Sequence, residues 1–248
     1  MTDLLSTEPE RPTSTRAASR SAASAQRGGT LRSILLSPQE GFRAACALAD
    51  KRQRHGVRVP EGAAPFVMGA CGGGALMFLW LKVGGLVNLR SMAPADFQWS
   101  YVIVAAFAGA LLGFIAQVVW GSVGRIVLGR LGAPTTPARM RISWGASALP
   151  QVFALFVLFP LDVLLTGRGL FTGERLDDAL PSVWAALSVA LSVSLAAWSG
   201  YLFWRGVQTG SGADNSQTAL AVLAAAGCLV VVVVAFVIAA AGLSGTGA

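Results

Sequence analysis

Side chains that could do chemistry inside the apolar stretches of this chain are few: Lys82, Gln117, Asp162, and Ser188, Ser192 and Ser194. An amine and a carboxylate in such surroundings can pair with each other, and polar groups on several helices can together line a path. Lys82 lies about five residues and Asp162 about three from the same-side ends of their stretches, so at about 1.5 Å per residue they share a depth. An ion pair between Lys82 and Asp162 is therefore one expectation; the other is that each side chain reaches water alone by extending toward the interface.

Other reactive groups are scarce. The single histidine, His55, stands among Lys51, Arg52, Arg54 and Arg58 and reads as a solvated member of a basic segment rather than a titrating switch. Cys46, Cys71 and Cys228 show no CxxC or CxxH spacing, so neither a disulfide framework nor a metal site is expected. Glu174, Asp177 and Asp178 form the one carboxylate cluster, and with Arg168 and Arg175 beside it a solvated loop is a better reading than a divalent-cation site. No HExxH, GxSxG, Walker or GxGxxG pattern occurs. The chain is expected to be no enzyme and to use no cofactor.

The elements that must position these groups are apolar. Charged residues make up 12% of the chain, against about 25% in an average soluble domain, and all but Lys82 and Asp162 lie outside five long apolar stretches. About 20 apolar residues are needed to cross about 30 Å of hydrocarbon as a helix. The candidates run from Phe66 to Val87, Ser100 to Gly124, Ser143 to Leu165, Ser182 to Trp204 and Ala219 to Gly242. The fold class is thus all-α, a polytopic integral membrane protein with five transmembrane helices. Pro150 and Pro160 predict a bent third span. Gly69, Gly72, Gly73 and Gly74 on the first span, and Gly109 and Gly113 on the second, give small-xxx-small faces suited to close packing. Packing within the chain is the expected use, and formation of a homo-oligomer through the same face is the alternative.

Residues 1–30 are rich in Ser, Thr, Ala and Arg without apolar periodicity and read as a disordered tail. Asp3, Glu8 and Glu10 argue against an organelle transit peptide, and no apolar h-region marks a secretory signal. In 31–60, Ser37 can cap a helix, Pro38 suits its first position and Glu40 lies three residues past the cap. That helix has an apolar side at Phe42, Ala45, Cys46, Leu48 and Ala49, with Arg43 and the Lys51 to Arg54 cluster supplying charge. It is too short to span. A short interfacial amphipathic helix at the headgroup level is expected, and a helix packed on the protein's own cytoplasmic face is the alternative. The five-helix membrane domain occupies 61–242, and 243–248 form a short outer tail.

Lys and Arg are retained on the cytoplasmic side. Ten of the nineteen lie before Phe66; Arg125, Arg130, Arg139, Arg141 and Arg205 fall on the same side, whereas Arg90, Arg168 and Arg175 fall on the other. The count places the N-terminus in the cytoplasm and the C-terminus outside. Trp99, Tyr101, Trp120, Trp144, Trp184, Tyr201 and Trp204 near the span ends agree with interfacial anchoring. The net charge of +7 follows from this topology, and without a compact basic stripe interleaved with aromatics no nucleic acid is expected as a partner.

The segment SPQEGFR (Ser37 to Arg43) just before the spans, and GRLGAPTTPARMRISWGASALPQ leading from Gly129 through Pro150 into the third, give the order of features a likeness. The chain resembles the Yip domain family, five-span membrane proteins named for interaction with Ypt and Rab GTPases, and specifically its bacterial branch, over about Leu31 to Gly242. The resemblance implies a multi-pass protein of the bacterial cytoplasmic membrane that acts in membrane organisation through partner binding. A DLYGP-like motif, carried by the eukaryotic trafficking members, is absent, so Rab binding and Golgi localisation do not transfer. The expected function is a non-enzymatic scaffold or organiser whose basic cytoplasmic face binds membrane lipids of anionic type or a protein partner. Arg43, Lys51, Arg52, Arg54, Arg125, Arg130, Arg139 and Arg141 would supply that face. The alternative is a small transporter or permease subunit with a path lined by the kinked third span, Gln117, Asp162 and the fourth-span serines.

Overall fold

The computed structural model describes residues 32–54, 63–86, 98–172 and 179–244. The 1–30 tail, His55, Arg58, Arg90, the Glu174, Arg175, Asp177 and Asp178 loop and the last residues of the outer tail lie outside the described residues, as do the side chains of Lys51, Arg52 and Arg54. The described residues are all-helical, with no strand among them.

A single turn at 32–36 leads into α1 (Pro38–Arg54), which begins at the Pro that follows Ser37. Five longer helices follow: α2 (Ala63–Leu86), α3 (Trp99–Arg130), α4 (Pro137–Thr166), α5 (Ala179–Ser211) and α6 (Asn215–Ser244). Each is long and apolar enough to cross a membrane, which marks an integral multi-pass membrane protein. Their outward surface is apolar as well: Phe107 is 72% and Leu164 78% exposed, which water would not tolerate over a whole bundle but hydrocarbon favours.

The helices run farther than the apolar stretches at the end where α1 sits, because local stop and start signals lie beyond those stretches. After Arg130 the chain turns through Gly132 at φ 84°, a left-handed conformation that glycine adopts without a Cβ clash. There the Ala133 N–H donates to the Leu128 carbonyl and the Gly132 N–H to that of Gly129, closing a Schellman turn with Ala133 and Leu128 in one buried cluster. Thr136 then caps α4, accepting from the Arg139 N–H, with Pro137 at the first position. Gly212, at φ 71°, ends α5, and Asp214 and Gln217 form a reciprocal capping box for α6.

Two helices contain a wide π turn, Trp120–Gly124 in α3 and Ala154–Leu158 in α4. The second lies directly before Pro160, whose missing N–H leaves the preceding turn without its ordinary bond. Pro150 stands at the restart after Ala148, whose ψ of −6° already departs from the helix. The third span is thus interrupted at both prolines.

Packing depends on backbone approach, since lipid tails are as apolar as the side chains and give helices no hydrophobic reason to associate. A Cβ built on Gly73 would stand 2.7 Å from the Gly113 Cα, and one on Gly109 would stand 2.6 Å from the Gly73 carbonyl oxygen. The small-residue faces of α2 and α3 are therefore filled by each other. At the α1 end, Phe203 of α5 meets Trp120 and Trp144 edge-on at 4.8 and 5.4 Å. At the opposite end, Phe78 stacks on Phe159 at 4.1 Å, beside Leu170 and Phe171 of the short helix Gly169–Thr172.

Gly73→Ala should lower stability by roughly 1 to 3 kcal/mol, because backbone rather than a flexible side chain must give way. Gly84→Ala, whose added Cβ meets nothing within 4 Å, should leave it unchanged. Thermal midpoints in mild detergent check this, and equal midpoints for the two variants would refute a close α2–α3 crossing.

Candidate functional site

The basic residues gather at one end of the bundle, where α1, the α3–α4 turn and the α5–α6 turn meet. Phe42 of α1 is fully buried in the notch that Gly206 leaves on α5; a Cβ there would stand 2.8 Å from the ring. Ile34, Ala45, Ala146, Ile142 and Leu149 complete the contact. The apolar side of α1 is thus covered by α4 and α5 of its own chain.

Arg139 closes the same contact. Its guanidinium donates to both Asp50 oxygens, Nε to Oδ1 at 3.3 Å and Nη2 to Oδ2 at 2.5 Å, while Nη1 reaches the Gly210 carbonyl at 3.2 Å. The fork saturates a carboxylate and a helix-terminal carbonyl together. Arg139 is therefore engaged within the fold, and the role of Asp50 is one the sequence did not signal. Cys46 lies beneath this pair, and burial pushes its thiol above the ordinary range; Arg139 opposes that shift and Asp50 adds to it.

Four other cations among the described residues pair with no carboxylate. Arg43 projects from the exposed side of α1, and Arg130 is exposed at the end of α3. Arg125 and Arg141 come together from α3 and α4 across a groove of about 390 Å³, walled by Phe66, Gln117, Val118, Ser122, Ile126 and Pro137. Arg141 lies over the Phe66 ring at 5.8 Å from its centroid. Among the described residues neither guanidinium meets a carboxylate. Gln117 is 1% exposed with neither amide atom hydrogen-bonded, an arrangement that costs energy unless something enters the groove.

A second polar group lies near the opposite end. Lys82 of α2 forms an ion pair with Asp162 of α4, and both are buried. The ammonium also donates to Ser188 Oγ at 3.0 Å and Ser192 Oγ at 3.2 Å on α5, so three oxygens from two helices surround it. Trp184 Nε1 donates to Asp162 Oδ1 at 3.0 Å. Trp184, Ser188 and Ser192 stand four residues apart on one stripe of α5, a spacing legible in the sequence that could have identified them as one set. Ser194 lies off that stripe, exposed, and bonds only the Ala190 carbonyl.

Between the two ends lies a cavity of about 720 Å³ among all five long helices, lined mainly by glycine and apolar residues, including Gly69, Gly113, Trp144 and Phe203. Gln151 and Ser199 also line it, each with a polar atom lacking a partner. Lys82, Asp162, Ser188 and Ser192 do not. Among the described residues no cluster of three His, Cys, Asp or Glu side chains could hold a metal.

Lys82→Met or Asp162→Leu alone should cost about 3 to 5 kcal/mol, because each leaves an uncompensated buried charge, whereas the double variant should recover most of it. Unfolding in detergent tests this, and a double variant no more stable than the singles would show independent residues. In a Cys71→Ala/Cys228→Ala background, Cys46 should react slowly with a maleimide. Arg139→Gln should speed labelling by about two- to fivefold as α1 loosens and the thiol becomes accessible; an unchanged rate would show that the arginine does not hold α1.

No protein-family model, no curated protein and no solved structure matches the chain.

Proposed function

We propose that the chain is a non-enzymatic organiser of the membrane, of the kind its Yip-like resemblance implies, working through the basic end of the bundle. The observation that carries this reading is the division among the cations. Arg139 is held by Asp50, and with α1 docked, Arg43, Arg125, Arg130 and Arg141 stand at one end, none of them ion-paired with a carboxylate among the described residues. Such a surface attracts anionic lipid headgroups or an acidic protein partner. The excess of cations at this end supports placing it in the cytoplasm, with the C-terminus outside, and the resemblance implies the bacterial cytoplasmic membrane as the location. In that orientation α1 lies at headgroup level, with Arg43 toward the lipid and Phe42 toward the bundle. The SPQEGFR segment opens α1, and the Gly129 to Pro150 segment builds the turn opposite it, so both stretches that carry the resemblance meet at this surface.

The transporter reading is favoured by one feature, the cavity with unpaired polar atoms on Gln151 and Ser199. It ranks second because Asp162, Ser188 and Ser192, expected to line a path, lie outside that cavity and are engaged by Lys82.

In bilayers mixing phosphatidylglycerol with phosphatidylcholine, the anionic lipid should be enriched around the protein, and salt should reduce the enrichment. Neutralising Arg43 and Arg130 to Gln should weaken it by up to about 1 kcal/mol per cation. Quenching of the interfacial tryptophans by brominated lipid reads this out. Equal quenching by both lipids, unchanged in the variant, together with no acidic protein recovered from native membranes, would overturn the reading.

A further inference from the structure

The groove between Arg125 and Arg141 has the form of a site for one lipid molecule rather than a general basic surface. Two guanidiniums converge on it from different helices, and a buried Gln117 with a free amide oxygen and a free amide nitrogen forms part of its wall. Guanidiniums present N–H donors in a geometry matched to phosphate oxygens, and the amide can donate to an ester or glycerol oxygen beside it. The remaining wall, Phe66, Val118, Ile126 and Pro137, is apolar, which suits no free ion.

The surface leading away from the groove has the other half of the chemistry. Phe107, Leu111, Phe114 and Val118 are all exposed and fall three or four residues apart, one stripe along α3 that continues into Ser122 and Arg125. From Leu111 to Ser122 the stripe is about 16 Å long, close to half of the about 30 Å hydrocarbon thickness. An apolar track one leaflet long that ends in two guanidiniums and an unpaired amide matches an acyl chain with a phosphate at its head.

We propose that this groove binds a single anionic phospholipid, its phosphate between Arg125 and Arg141 and an acyl chain along the exposed stripe of α3. The proposal rests on the reading of this end as the surface facing anionic lipid, and it adds a defined position and a stoichiometry. Gln117 contributes the hydrogen bonds that distinguish the site from Arg43 and Arg130, which stand open at the surface with no such pocket.

Native mass spectrometry of the full chain in mild detergent, titrated with phosphatidylglycerol, phosphatidylcholine or inorganic phosphate, tests this. One phosphatidylglycerol should remain bound per chain at concentrations where phosphatidylcholine does not, and inorganic phosphate should fail to displace it. Arg125→Gln/Arg141→Gln should weaken retention at least tenfold, and Gln117→Leu, which leaves every charge in place and removes an unpaired amide, should weaken it several-fold without loss of folded yield. Arg43→Gln/Arg130→Gln should retain the lipid as the parent does. Equal retention of the two lipids, retention unaffected by Gln117→Leu and by the arginine pair, or displacement by phosphate would each overturn the site. Loss of the bound lipid with general enrichment of anionic lipid intact would overturn this site and leave the broader reading in place; a bound lipid without such enrichment would support the site and overturn the broader reading.

Discussion

An ammonium or a carboxylate inside hydrocarbon has no water to turn to, and this chain buries one of each, Lys82 and Asp162, on different helices. The two charges, two serine hydroxyls and an indole N–H satisfy one another from α2, α4 and α5. Such a set is directional where the surrounding packing is not. Sliding α5 by one turn, about 5.4 Å, would take Ser188 and Ser192 out of step with the ammonium. The register of three helices is thereby fixed, and with it the position at which α2 offers its glycines to α3. The Phe78, Phe159 and Phe171 cluster packs around the same end and excludes competing polar partners.

The α1 end obeys a different rule. Its ion pair, Asp50 with Arg139, leaves about a third of each side chain exposed, 28% and 34%, and partly solvated pairs contribute little, of order 1 kcal/mol or less. Burying the Phe42 ring completely against Gly206 is worth about 1.5 to 3 kcal/mol, so the aromatic anchor outweighs the charges in holding α1. The pair sets the angle of docking and removes Arg139 from the open cations. Among the described residues, Lys82 and Asp162 close on each other at one end, and Arg43, Arg125, Arg130 and Arg141 pair with no carboxylate at the other.

Much of the architecture was legible from local text. Ser37, Pro38 and Glu40 mark the start of α1 because capping involves neighbours in sequence, and Pro150 and Pro160 mark the interruptions of α4 because each acts on its own turn. The candidate sites were only partly legible. Trp184 reads as an interfacial anchor by position, yet its N–H serves Asp162; Arg139 reads as one more basic loop residue, yet it is held by Asp50. The π turn at Trp120–Gly124 has no proline to announce it, although it sets the course of α3 just before Arg125 meets Arg141 across the groove.

What the sequence alone determined is the set of properties that depend on a residue and its near neighbours: five helices long enough to span, their caps and breaks, and the segregation of charge to the connecting segments. The tertiary structure decided which polar groups are satisfied and which are left open. Lys82 meets Ser188 and Ser192 across 106 and 110 positions of chain, and Asp50 meets Arg139 across 89. Hydropathy and periodicity are set by segments of about twenty residues, and they carry no information about which face of one helix meets which face of another. That choice is made when backbones approach at glycine and buried charges find acceptors, and it separates a cation fixed within the fold from one free to hold a ligand.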